Sequence, residues 1–361
     1  MGPKTFKGNR YDYNMMLQKS KSEEIVLNIV RARYWETPFF LQVGSISSSF
    51  GYSFNVGASA SLTNNLRNSA PGLDTYTPSL GTKISEAPTV TYTPLQGEKA
   101  IRQLQTEMSL EHFLILTRIG FDINSLFWTA VAQVGDLHNY NANAPVNEAT
   151  LANYSSFLEL ADILRKMQLR NDLEFTGLNS SSKDNKVLRM QLRCRDKEEL
   201  ATIADLLSVE PEKILLPDDS MVVTVEFTSV RDMTEQMQPH TKVPRIPIRL
   251  KSFFQILYDF SGFVQVPEEQ EQKKVARPFS PLREDLASRK GLHSGLISIK
   301  SSSSPPRDTY LSIAYRDRYF YVRDNDMRSK AYLMLMESIF SLLSGDIESV
   351  KPLITIPVGG R

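Results

Sequence analysis

Residues 46 to 62 read Ile46-Ser47-Ser48-Ser49-Phe50-Gly51-Tyr52-Ser53-Phe54-Asn55-Val56-Gly57-Ala58-Ser59-Ala60-Ser61-Leu62. The even positions are Ile46, Ser48, Phe50, Tyr52, Phe54, Val56, Ala58, Ala60 and Leu62, whereas the odd ones are only Ser, Gly and Asn. A β-strand points successive side chains to opposite sides, so this period of two makes a ribbon with one apolar and one small, polar face. The run is far longer than the roughly 5 to 6 residues of an ordinary strand. No charged residue occurs anywhere in residues 37–66.

A polar segment over residues 64–81 follows, containing Asn64-Asn65, Pro71-Gly72 and Pro78. Beyond it, Val90 and Tyr92 alternate with Thr89, Thr91 and Thr93, which predicts a second strand over residues 88–95. The two runs and the polar tip form one long amphipathic hairpin over residues 45–97. Outer-membrane barrels use such strands, apolar toward lipid and polar inward, and need about 9 to 11 tilted residues to cross. Two strands cannot close a barrel, and open edges are not tolerated in hydrocarbon, so several copies would each contribute a hairpin. On this reading Ile46, Phe50, Tyr52, Phe54, Val56, Ala58, Ala60, Leu62, Val90 and Tyr92 form a membrane or oligomer interface. The same pattern also suits a ribbon folded onto its own protein, and both readings stay open at this point.

Outward from the hairpin the chain reads as α+β: an N-terminal helix, the projecting hairpin, a helical region and two small α+β modules. Residues 1–44 hold an N-terminal helix, expected over residues 20–34 with Ser20 and Glu23 at capping-box spacing, and a strand. Residues 98–170 are helical, with Ser109 capping a helix that runs to Gly120 and a second one expected to end near Gly135. Residues 171–266 form an α+β module with strands at 186–194 and 221–227 and helices at 196–207 and 251–260. Residues 267–293 are charged and aperiodic and read as a linker or exposed loop. The last module, residues 294–361, has a hairpin over 310–322, a helix over 326–343 expected to pack on that module's sheet, and a closing strand over 353–358.

Composition excludes several function classes. Forty-two basic residues against 41 acidic ones provide no global field to hold nucleic acid. The single cysteine, Cys194, rules out an internal disulfide framework and any thiolate metal cluster. His112, His138, His240 and His293 have no partner at a metal-binding or catalytic spacing, and no phosphate-binding glycine loop or nucleophile elbow occurs. No catalytic, cofactor-binding or metal-binding residue is therefore expected. Asp218-Asp219 and Asp324-Asn325-Asp326 read as turn or cap residues. The basic aromatic run over residues 315–323 reads as a half-buried hairpin rather than a nucleic-acid surface. The most apolar helical run, residues 113–134, is interrupted by Arg118 and Asp122 and falls short of a membrane span.

Several segments resemble a family of largely uncharacterised outer-membrane lipoproteins of Gram-negative bacteria. They are Tyr11-Asp12-Tyr13-Asn14, Leu27-Asn28-Ile29-Val30-Arg31-Ala32-Arg33-Tyr34 with Pro38-Phe39-Phe40-Leu41, Pro88-Thr89-Val90-Thr91-Tyr92-Thr93-Pro94-Leu95-Gln96-Gly97-Glu98, Asp326-Met327-Arg328-Ser329-Lys330, and Lys351-Pro352-Leu353-Ile354-Thr355-Ile356-Pro357-Val358-Gly359. The resemblance implies a Gly/Ser-rich alternating insert where the hairpin lies here. It also implies a signal peptide and a lipidated cysteine, neither of which stands in these residues, and a place on the periplasmic side of the outer membrane. It brings no activity or cofactor. The expected function is that of a non-enzymatic structural subunit, a homo-oligomer that also meets other envelope proteins. The alternative is a monomeric periplasmic adaptor lipoprotein that binds a partner, its hairpin packed on its own body.

Overall fold

A computed structural model describes residues 3–61, 75–95, 98–141, 147–179, 186–210, 212–215, 221–229, 243–277, 297–345 and 354–357. The fold is α+β, and it divides into two compact units: residues 1–38 with 97–347, and residues 39–96 with 348–361. The second unit thus joins the hairpin to the C-terminal segment, two stretches that are far apart in the chain.

The larger unit opens with α1 (Pro3–Arg33), which begins well before the start expected at Ser20, so Ser20 lies within the helix and does not cap it. Its C-terminal half buries Ile25, Val26, Ile29 and Val30, spaced to line one helical face, while Tyr11, Met15 and Met16 in its first half are exposed. Trp35 ends the helix in a left-handed conformation at φ 59°. Next come α2 (Glu98–Gln105), α3 (Leu110–Ile119), α4 (Ile123–Ala130) and the short strands β3 (Val131–Val134) and β4 (Leu137–His138). Ser109 caps α3 by accepting from the His112 N–H, and Gly120 closes it at φ 94°. Replacing Ser109 with alanine should cost about 0.5 to 2 kcal/mol, read as a lowered thermal midpoint, because one N-terminal amide loses its acceptor.

The helix expected to reach Gly135 stops at Ala130 instead. There Val131 turns extended and β3 pairs with β9 (Arg245–Leu250), so the helical region supplies strands to the main sheet. α5 (Glu148–Leu169) then leads through β5 (Leu173–Asn179) and β6 (Lys186–Cys194) to α6 (Lys197–Leu207), β7 (Glu212–Leu215) and β8 (Met221–Ser229). The sheet order is β4-β3-β9-β8-β6-β5, with β7 on β8; β8 and β9 run parallel and the other pairs antiparallel. Pro247 sits inside β9, yet its carbonyl accepts from Gly135 N, past the end of β3. Its missing N–H would have met Gly135 O, which instead accepts from the Gln133 side-chain amide at 2.8 Å.

α7 (Phe253–Ser261) carries Phe253, Ile256, Leu257 and Phe260 into the core against Trp128, whose ring lies 5.1 Å from that of Phe260. α8 (Glu268–Gln272) begins the segment read from sequence as a linker. As far as Arg277 that segment is built into the body. Buried Arg33 pairs with Glu271 at 2.5 Å, Tyr34 Oη donates to Gln270 at 2.6 Å, and the Arg277 guanidinium lies 4.5 Å over the Trp35 ring. Its charges read as exposed because their partners come from α1, more than two hundred positions away. Residues 278–293 lie outside the described residues.

A small sheet in the order β10 (Lys300–Ser302), β12 (Arg318–Arg323), β11 (Thr309–Tyr315) precedes α9 (Met327–Gly345). Tyr315 and Arg316 hydrogen-bond to Glu36, and Arg316 stacks over Tyr34. The basic aromatic hairpin is thus occupied in holding the end of α1. Partial burial works against the Glu36 carboxylate, but the Tyr315 and Arg316 hydrogen bonds hold its pKa below the ordinary range. The face of α9 read from sequence, Tyr332, Leu335, Met336, Ile339, Phe340 and Leu343, is buried. Its principal neighbours are α1, α2 and α3 rather than its own module's sheet.

The smaller unit is a three-stranded antiparallel sheet in the order β1 (Leu41–Ser61), β2 (Thr75–Pro94), β13 (Ile354–Pro357). The closing strand expected in the C-terminal module pairs with the base of the hairpin instead.

Candidate assembly interface on the hairpin

β1 and β2 are paired without interruption from Ser45 opposite Thr91 to Ser61 opposite Thr75, and one bulge at Val43/Ser45 lies near the base. At about 3.4 Å per residue each arm is roughly 65 to 70 Å long. The second arm is therefore much longer than the stretch 88–95 read from sequence. Its distal part contains Pro78, Gly81, Lys83 and Glu86, residues poorly suited to strands, and only the pairing with β1 carries the ladder through them.

The register brings the two arms into phase. Residues opposite one another share a face, so Ile46 joins Val90, Phe50 joins Glu86, Tyr52 joins Ile84, Phe54 joins Thr82, Val56 joins Leu80, Ala58 joins Pro78 and Ala60 joins Tyr76. The other face carries Ser49 with Ala87, Gly51 with Ser85, Ser53 with Lys83, Asn55 with Gly81, Gly57 with Ser79, and Ser59 with Thr77. Of the predicted interface residues, Ile46, Phe50, Tyr52, Phe54, Val56, Ala58, Ala60 and Val90 thus fall on one face. Leu62 lies outside the described residues. Val90 pairs on its other side with Ile356, and Tyr92, half-buried, pairs with Ile354 beyond the bulge, so both stand in a strand covered on both edges.

Three prolines define how far that cover extends. Leu95 N donates to Phe40 O at 2.9 Å, and N–H groups alternate between the two edges of a strand. Odd-numbered residues of β2 therefore face β1, and even-numbered ones face the outer edge. Pro78, Pro88 and Pro94 all fall on that outer edge, where a donor is missing. β13 pairs with Thr89 to Tyr92, the window between Pro88 and Pro94. Beyond Pro88 the described residues place no strand on the outer edge of β2, and none lies on the outer edge of β1 along its length.

Glu86 and Lys83 are the only charged residues in either arm, and sequence reading assigned neither a role. Their signal was present but could be read only once the register was known. Glu86 is the sole charge on the apolar face. From the next pair on that face to the tip, residues 52–61 and 75–84 present no charge to it, a stretch close to the 9 to 11 residues a tilted strand needs to cross a bilayer.

A cleft of about 560 Å³ lies beside β3, β4 and the start of α5, with His138, Asn153, Tyr154 and Arg249 among its walls. Asn153 accepts from His138 N and donates to Asp136 O, Tyr154 Oη accepts from Trp128 Nε1, and burial pushes the Tyr154 hydroxyl pKa upward. His112 is half-buried, and His240 and His293 lie outside the described residues. Cys194 is buried in β6, and desolvation pushes its thiol up to about 12, leaving a small apolar side chain rather than a nucleophile. Among the described residues no cluster of His, Cys, Asp or Glu could hold a metal ion, and no helix is long and apolar enough to cross a membrane. No family model, curated protein or solved structure matches this chain. Function must be argued from the site's own physical chemistry.

Proposed function

We propose that this chain is a non-enzymatic structural subunit that forms a ring, each copy contributing β1 and β2 to a shared barrel or collar at the outer membrane. The observation that carries the reading is the phase of the two arms. One face is apolar along both strands, and the charge-free stretch beyond Glu86 matches a bilayer crossing. Charges on a lipid-facing strand cost roughly 2 to 4 kcal/mol near the midplane, which accounts for their absence there. The outer edges supply the second support. An unpaired edge in hydrocarbon is costly, and a second copy, presenting β2 to the free edge of β1, removes it. β13 and the Pro88 gap confine such pairing to the part of β2 distal to Thr89. The outer membrane is the location implied by the family resemblance, and a lipid anchor there would hold the body at the periplasmic surface.

Purified protein should form a large, discrete particle in detergent or lipid, seen as a ring by electron microscopy and as a single species by light scattering. A chain that stays monomeric in both would overturn the assembly and leave the adaptor reading, in which the hairpin covers its own protein.

A further inference from the structure

We propose that the lumen enclosed by the assembled hairpins passes small anions, with Lys83 of each copy setting that preference. The inference rests on the shared-barrel reading above. It starts from the register of the polar face, where Ser53 stands opposite Lys83 and the neighbouring pairs are Gly51 with Ser85 and Asn55 with Gly81. Every other register position on that face from Ser47/Thr89 to Ser61/Thr75 is Ser, Thr, Gly, Ala or Asn, and none is acidic. One turn of the barrel therefore meets one cation per copy and no compensating anion at the same level.

Rings of like charge in a bore of low-dielectric walls select permeating ions by sign, and Lys or Arg rings favour anions. The hydroxyl and amide groups around the ring can solvate either sign, so the selectivity falls to Lys83. Glu86 does not cancel it. It stands on the opposite face and three residues along, about 10 Å away by strand rise.

The test is reconstitution of the full chain into planar bilayers under a KCl gradient, with parallel micrographs of the same preparation. The wild type should reverse near the chloride equilibrium potential. Lys83→Gln should move the reversal toward zero, and Lys83→Glu should carry it to the potassium side, both with unchanged particle size. A wild-type channel that prefers cations, or a Lys83→Glu variant with wild-type selectivity, overturns the proposal. Rings on the micrographs without conductance overturn it too but leave the shared barrel standing, whereas the absence of rings removes both.

Discussion

Phe54→Arg should abolish membrane insertion and ring formation while leaving the larger unit folded. Phe54 stands opposite Thr82, inside the charge-free stretch and on the face shared with Tyr52, Val56, Ile84 and Leu80. A guanidinium on a lipid-facing strand costs up to roughly 2 to 4 kcal/mol per copy, most at the bilayer midplane, and a ring incurs that cost once for every subunit. The larger unit survives because its core, from Ile25 and Phe113 to Phe260 and Leu343, comes from segments outside the hairpin. The matched control is Asn55→Arg, one position on and therefore on the other face, opposite Gly81. Ser53 would be a poor control, since a cation there would face Lys83 across the strands. Particle size after reconstitution and thermal unfolding of the detergent-free form check both variants. If Phe54→Arg lowers the melting temperature of a monomer, and wild-type protein never assembles, the hairpin packs on its own body.

The second large effect is expected deep in the main body, at Lys251. Its ammonium lies 2.7 Å from the Asp259 carboxylate, and both side chains are at most 2 % exposed. It also donates to Trp128 O at 3.1 Å and Tyr140 O at 3.4 Å and sits 5.1 Å from the Trp128 ring centroid. One cation thus joins the end of α4, the segment after β4, and α7. Lys251→Met should destabilise by about 3 to 5 kcal/mol, because it leaves the Asp259 charge buried without its ammonium, and Trp128 O and Tyr140 O each lose one donor. Lys251→Met with Asp259→Leu should recover part of the loss, since no buried carboxylate then lacks its ammonium. Recovery stays incomplete because Arg277, which feels the Asp259 charge, then loses it. Thermal unfolding of the two single variants and the double variant closes the cycle. Additive losses would show that the two charges do not act as a pair.

Much of this arrangement was written locally. The period of two over residues 46–61 predicts β1, the alternation in residues 221–227 predicts β8, and Ser109, Gly120 and Asp196 mark helix ends that the fold uses as caps. Each signal depends on neighbours within a few positions, where backbone geometry and side-chain direction are coupled. The same holds for the buried face of α9, whose residues recur at helical spacing. What that face meets was not legible, because apolar spacing specifies that a surface is covered without naming what covers it.

The sequence by itself therefore determined the α+β class, several helix caps, and a long ribbon with one largely apolar face. Tertiary structure alone decided three things, all of them pairings between distant segments. β2 extends through Pro78, Gly81 and Lys83 because β1 supplies a ladder that their own propensities would not sustain. The last strand leaves its own module to cover the base of the hairpin, in the window between Pro88 and Pro94 on the outer edge of β2. The charges of Lys251, Asp259 and Arg33, which composition would place in water, go inside because partners from other elements meet them there. Local sequence reports the preference of each residue for a conformation and a solvent, whereas a buried charge or a paired edge depends on which distant group arrives opposite it.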